Sequence, residues 1–70
     1  MLSKKEIIML KMLYQNRNTY TSSKQIAKQL GVSDRTARKY VQGLGLILKN
    51  HKLGQICAKQ GHGYRLNITD

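Results

Sequence analysis

A stretch near the middle of the chain constrains the fold most, because it contains two short amphipathic patterns with a glycine between them. In the first pattern, apolar residues recur one helical turn apart, which predicts a helix over about 23–30. These residues are Ile26, Ala27 and Leu30. Either Ser22 or Ser23 caps its start, and Ser22 with Gln25 has the spacing of a capping box. Gly31 follows, and the chain is predicted to turn there because glycine adopts a left-handed conformation without a Cβ clash.

The second pattern predicts a longer helix over about 34–46. Ser33 is placed to cap it, and Asp34 adds negative charge at the positive end of the helix. Apolar residues then follow at the spacing of one helical face, which is predicted to pack inward. They are Ala37, Tyr40, Val41 and Leu44. Because Gly43 and Gly45 weaken the helix end, the apolar residues after them either extend the helix or pack as it unwinds. Two helices joined in this way form a helix-turn-helix.

The outward face of this second helix is rich in hydrogen-bond donors. Its members are Arg35, Thr36, Arg38, Lys39 and Gln42. Such side chains suit phosphate oxygens and the guanine edge in the major groove, and a helix fits that groove. We therefore expect residues 33–39 to dock in the groove, with Arg35 and Lys39 at base edges. The residues expected to position phosphates are Ser22, Ser23, Lys24, Arg38 and Lys59.

The charge of the chain favours the same partner. The sequence has 13 Lys+Arg and 3 Asp+Glu, which gives a net charge of +10. Between Lys24 and Arg65 the only acidic residue is Asp34. Positive charges in such an excess repel one another unless a bound polyanion neutralises them. A basic run alone also fits a solvated lysine-rich surface, but together with the helix-turn-helix spacing it indicates double-stranded DNA.

The N-terminal segment predicts an opening helix over about 3–15. Ser3 and Glu6 have capping-box spacing, and the segment is rich in good helix formers. The narrowest apolar stripe consists of Met9, Leu10 and Leu13. Ile8 and Met12 lie outside this stripe, and they either help to wrap a small core or pair with another chain.

The C-terminal segment predicts a β-hairpin over about 55–68. Ile56 and Ala58 alternate with polar neighbours, the glycine-flanked turn 60–63 follows, and a second alternating run returns. Lys59 and His62 fall near the tip, where His62 is a further candidate for phosphate contact. A short strand is also predicted at 19–21. The predicted fold is α+β, one domain over residues 1–70, with a three-helix helix-turn-helix core and a C-terminal hairpin wing.

These segments resemble a known family. The run IAKQLGVSDRTARKYVQGL followed by GHGYRL is similar to the winged helix-turn-helix of bacterial transcription regulators, over roughly residues 5–68. The similarity is to activators linked to sugar uptake, with DeoR-like repressors and the biotin-ligase repressor domain as relatives. The resemblance implies that Ser33, Arg35, Thr36, Arg38 and Lys39 face the operator. It also implies that the wing, residues 59–63, lies along the DNA backbone or minor groove.

Catalysis, cofactors and metals are not expected. The acidic residues Glu6, Asp34 and Asp70 are scattered in the sequence, and Asp34 is better explained as a helix first-turn residue than as a general base. His51, Cys57 and His62 match no zinc spacing. A single cysteine excludes an intrachain disulfide, and the sequence has no long apolar run, so we expect a cytoplasmic protein with no membrane contact and no small-molecule site.

Three functional hypotheses follow. The first is sequence-specific binding of double-stranded DNA by a bacterial transcription regulator, in which a homodimer or a larger parent protein supplies two modules. The second is a winged-helix module whose basic face meets an acidic protein partner. The third is a regulatory DNA-binding segment of a larger enzyme, as in biotin-ligase repressors.

Overall fold

The computed structural model describes residues 3–68, which form three helices followed by a two-stranded antiparallel hairpin. The elements are α1 (Lys4–Gln15), α2 (Ser23–Leu30), α3 (Asp34–Asn50), β1 (Gly54–Lys59) and β2 (Gly63–Ile68). The sequence of elements confirms the α+β fold predicted above, a helix-turn-helix with a hairpin wing.

A serine side chain caps the start of each helix. The Ser3 hydroxyl accepts a hydrogen bond from the Glu6 backbone N–H at 3.2 Å, and the Glu6 carboxylate accepts one from the Ser3 N–H at 3.0 Å. Ser22 and Gln25 form the same reciprocal pair at the start of α2. Ser22 is therefore the cap of α2, and the Ser23 hydroxyl is left for another partner. These bonds satisfy backbone donors that have no acceptor within the helix.

Helix α3 is longer than the sequence predicted. It continues to Asn50, so the apolar residues after Gly45 extend the helix, which was one of the two alternatives, and the end at about 46 was placed too early. Glycines inside a helix cost about 1 kcal/mol each, but burial of Leu44 and Leu48 stabilises the helix by about 1.5–3 kcal/mol each, which offsets that cost. The helix ends where Lys52 turns to a φ of 56°, and the Leu53 N–H then bonds the Leu48 carbonyl at 2.9 Å. This is a Schellman ending.

The hairpin is tied to the start of α2 by one backbone bridge. Thr21 and Tyr64 exchange two backbone hydrogen bonds, of 2.7 and 2.8 Å. The predicted strand at 19–21 is therefore reduced to Thr21 alone. Thr19 is held in the preceding turn instead, because its N–H bonds the Asn16 carbonyl at 2.9 Å.

Gly63 makes this bridge possible. Its φ is 114°, and a Cβ atom at this position would collide with the backbone of Thr21 and Ser22. A side chain would thus introduce both backbone strain and steric overlap. Gly63 therefore fixes how closely the hairpin approaches α2.

The core lies between the three helices and the inner side of the hairpin. Its buried apolar residues are Met9, Leu13, Ile26, Ala27, Leu30, Ala37, Val41, Leu44, Leu48 and Leu66. In the predicted α1 stripe, Met9 and Leu13 are buried and Leu10 is half-buried. Ile8 and Met12 are half-buried and pack against the core, which favours a role in wrapping it over pairing with another chain.

Candidate nucleic-acid interface

The outer face of α3 carries exposed donor side chains on a fixed support. Arg35, Lys39 and Gln42 are exposed, and their spacing of four and three residues places them on one side of the helix. The opposite side is buried in the core through Ala37, Val41, Leu44 and Leu48. Because the inner side is packed, the rotation of α3 about its axis is set, and the donors project together.

The first turn of α3 is ordered by two hydroxyl groups. The Ser33 hydroxyl oxygen accepts from the Thr36 N–H at 3.1 Å, and its proton goes to the Thr36 hydroxyl oxygen at 2.9 Å. Ser33 is exposed and Thr36 half-buried. The Thr36 O–H still has its own proton to donate. Of these two predicted DNA-facing residues, Ser33 thus acts locally as a cap, and Thr36 retains a donor for an external acceptor.

Asp34 joins the two helices of the helix-turn-helix. Its carboxylate accepts a hydrogen bond of 2.6 Å from the Ser23 hydroxyl and forms an ion pair of 3.1 Å with Arg38. The Arg38 side chain remains 61% exposed, and a guanidinium has five N–H donors, so most of them stay free. Ser23 and Arg38 were predicted to contact phosphate. In the structure, each has an internal partner that also fixes its orientation.

A groove brings the predicted phosphate contacts together. It lies between the start of α2, the second turn of α3 and the tip of the hairpin, and we call it the tip groove. It has a volume of about 490 Å³. The predicted residues that line it are Ser22, Ser23, Lys24, Arg38, Lys59 and His62. In the sequence these residues belong to three separate segments. The Thr21–Tyr64 bridge brings the hairpin to the start of α2, and the bonds of Asp34 with Ser23 and Arg38 connect α3 to the same place.

Sequence reasoning missed a second basic cluster, on the other side of the hairpin. The Tyr20 ring lies 5.5 Å from the Arg65 guanidinium carbon and 5.8 Å from the Lys59 ammonium nitrogen. The His62 ring lies 6.0 Å from the same tyrosine ring. The sequence signal was the alternation of β2, which puts Arg65 on the face opposite Leu66.

Residues 3–68 contain no group of three His, Cys, Asp or Glu side chains placed to hold a metal ion. Cys57 is a half-buried free thiol. The Glu6 carboxylate takes part in the capping box of α1, and the Asp34 carboxylate forms the ion pair with Arg38. Asp70 lies outside the described residues. None of the three helices within this range has the length and apolar character that crossing a bilayer requires.

Together, the fold and the donor-bearing face of α3 define a winged helix-turn-helix of the DNA-binding class. The family model described as "HTH domain" matches residues 6–65, from the first turn of α1 into β2. The chain belongs to this family. It is accordingly a DNA-binding protein that takes part in transcription regulation. A search of curated proteins found no match to the chain.

Proposed function

We propose that the protein binds double-stranded DNA in a sequence-specific way, as part of a bacterial transcription regulator. The observation that carries the proposal is the fixed row of exposed Arg35, Lys39 and Gln42 on α3. An α-helix fits the major groove, where arginine and lysine donate to guanine acceptors and glutamine pairs with adenine. In this proposal residues 33–39 enter the groove, and Arg35 and Lys39 contact base edges.

The tip groove is proposed to position the DNA backbone. Lys24 and Lys59 present donors around it, and the N-terminal end of α2, which carries positive partial charge, lines it as well. The Ser22 N–H and hydroxyl both donate to the Gln25 side chain, so Ser22 contributes by capping that end.

Arg38 is already oriented through Asp34 and keeps free N–H donors, so it would meet phosphate with less loss of side-chain entropy. The single hydroxyl proton of Ser23 is donated to Asp34, so Ser23 would act by holding Asp34 and Arg38 in place. These contacts would carry affinity and orientation, whereas α3 would carry sequence discrimination.

The small size of the module bears on how it acts. A single module of 70 residues offers a limited interface, so we propose that a homodimer or a larger parent protein places two copies on adjacent half-sites. The subtype is proposed to be that of sugar-uptake activators, DeoR-like repressors or the biotin-ligase repressor domain. We assign no catalysis to this segment, and we propose the cytoplasm as its location because its partner is DNA.

Selection of bound duplexes from a random pool tests this function. The expected result is an enriched motif of a few base pairs, with guanine at the position that faces Arg35. Recovery of duplexes without any shared motif would contradict sequence specificity. If the protein binds no duplex even at low salt, DNA binding itself fails, and the interaction module for an acidic partner would replace it.

A further inference from the structure

One side of α1 keeps apolar side chains in solvent. Ile7 is 42% exposed and Tyr14 is 49% exposed, and Leu10 is half-buried between them. Their spacing of three and four residues places the three side chains in one stripe along the helix. Single exposed apolar residues are ordinary on a protein surface, whereas three in one stripe form a patch that a partner can cover.

Two arginines lie at the C-terminal end of this stripe. The Arg17 guanidinium carbon lies 4.3 Å from the centre of the Tyr14 ring, and the guanidinium donates to the Tyr14 carbonyl oxygen at 2.9 Å. Arg17 and Arg65 line one depression of about 380 Å³, together with Asn18 and Asn67. Guanidinium and amide groups supply N–H donors, so the depression suits a carboxylate. The following residues form what we call the α1 surface: Ile7, Leu10, Tyr14, Arg17 and Arg65.

No carboxylate within residues 3–68 balances these arginines. The two acidic residues in that range are Glu6, which belongs to the capping box of α1, and Asp34, which pairs with Arg38. The Tyr14 ring holds Arg17 in place without cancelling its charge. A second copy of the chain has the same net charge of +10, so it would bring repulsion to this surface. Charge therefore favours an acidic partner.

The apolar stripe favours a polypeptide over nucleic acid as that partner. A duplex backbone presents phosphates, which need donors and offer no complement to apolar side chains. A helix with apolar residues three and four positions apart can pack along Ile7, Leu10 and Tyr14. From Ile7 to Tyr14 the axis of α1 rises about 10 Å. Carboxylates about one turn beyond the apolar residues of such a helix would lie beside Arg17 and Arg65.

We propose that the α1 surface binds an acidic amphipathic helix of a partner protein. The apolar residues of that helix cover the stripe, and its carboxylates pair with Arg17 and Arg65. None of the five residues of the α1 surface belongs to the exposed row on α3 or lines the tip groove. The partner thus uses a surface distinct from the one proposed for DNA, and the inference does not depend on the proposed function.

The test titrates the isotope-labelled chain with a synthetic helical peptide and follows the backbone NMR signals. The peptide has leucines three and four positions apart on one face and glutamates on both flanks of that face. Saturable shifts concentrated in residues 7–17 and at Arg65 are the expected result. Shifts confined to α3 and the tip groove would overturn the proposal, because the peptide would then follow the basic face proposed for DNA. The absence of any saturable shift would overturn it as well.

Matched variants separate the α1 surface from general charge. Arg65→Gln and Arg17→Gln should each weaken peptide binding by about two- to fivefold, the range of an exposed ion pair. Lys28→Gln removes the same charge at an exposed position on α2 and should leave binding unchanged. Tyr14→Ala should weaken binding by at least about fivefold, whereas Leu46→Ala, at an exposed apolar residue of α3, should have no effect. Equal effects of variants and controls would contradict the proposal.

Two control peptides and a duplex complete the test. Replacement of the glutamates by glutamine, or of the leucines by alanine, should each remove most of the binding, because charge and apolar contact are both required. Undiminished binding at the α1 surface after either replacement would overturn the proposal. Binding to duplex DNA is measured separately. A chain that binds the peptide but no duplex loses the proposed function alone, and a chain that binds duplex but not the peptide loses this inference alone.

Discussion

Helix α3 and the hairpin present the same kind of charge, but the rest of the molecule supports them differently. The inner face of α3 is packed in the core through four buried side chains. The hairpin has one fully buried apolar side chain, Leu66, and a single backbone bridge to Thr21. A donor on α3 therefore has a more precisely fixed position than a donor near the hairpin tip.

This difference in support indicates a division of roles. Discrimination between bases needs donors held at defined positions, because a bidentate contact fails when it is misplaced. Contact with phosphate tolerates some movement, because charge acts over a longer range than hydrogen-bond geometry. We therefore expect α3 to set sequence preference and the hairpin to set affinity. The following predictions test that contrast.

The largest effect is expected from removal of the support beneath α3. Leu44 is 0% exposed, so Leu44→Ala should lower the free energy of unfolding by about 2–5 kcal/mol. Leu46, on the same helix, is 62% exposed, and Leu46→Ala should change it by less than about 0.5 kcal/mol. Urea denaturation of both variants measures this difference. Equal losses would mean that α3 is not packed as described.

A somewhat smaller effect is expected where the hairpin is attached. Gly63→Ala adds a Cβ that collides with the backbone of Thr21 and Ser22 at a positive φ, and it should cost about 2–4 kcal/mol. Gly61, at the tip, also has a positive φ but open space around it, so Gly61→Ala should cost about 1 kcal/mol. Thermal unfolding compares the two. If the two variants lose the same amount of stability, the Thr21–Tyr64 bridge does not hold the hairpin in place.

The two regions should differ in how a lost cation affects DNA binding. Arg35→Ala should weaken binding to the selected motif by about 1–3 kcal/mol and relax the preference at one base pair. Lys59→Ala should weaken binding to all duplexes alike and reduce the salt slope by about one. Titrations with motif and random duplexes separate these outcomes. Identical behaviour of the two variants would remove the proposed division of roles.

The smallest effect is expected at the joint between α3 and the hairpin. Lys52 has a φ of 56°, which favours glycine, so Lys52→Gly should stabilise the fold by about 0.5–1 kcal/mol. Lys49 lies in the last turn of α3 with helical backbone, so Lys49→Gly should destabilise it by a similar amount. Opposite shifts in the urea midpoint are the expected signature. Shifts of the same sign would contradict the Schellman ending.

The features that the sequence predicted correctly depend on neighbouring residues. Ser3 and Ser22 form their capping boxes with residues three positions away, and Ser33 caps α3 in the same local manner. Gly31 ends α2 in the left-handed conformation, with a φ of 69°. The end of α3 was placed too early because the helix is extended by the burial of Leu48 in the core. The glycines alone indicate only that the helix is weakened there.

The candidate site was predicted only in part because it is assembled from distant segments. The row of donors on α3 follows from helical periodicity alone. The tip groove needs the Thr21–Tyr64 bridge, which places Lys24 and Lys59 on one surface. The second basic cluster needs Tyr20 beside β2, and no spacing in the sequence indicates that neighbourhood. Asp34 was predicted as a helix first-turn residue, but its contact with Ser23 requires the packing of α2 against α3.

Equilibrium binding to a motif duplex and to a random duplex, each measured over a range of salt, tests the central claim most directly. The account predicts that both affinities fall steeply as salt rises, because phosphate contacts release counterions. It also predicts tighter binding to the motif at every salt concentration, because α3 contacts bases. Equal affinity for the two duplexes, or no binding at low salt, would contradict the account.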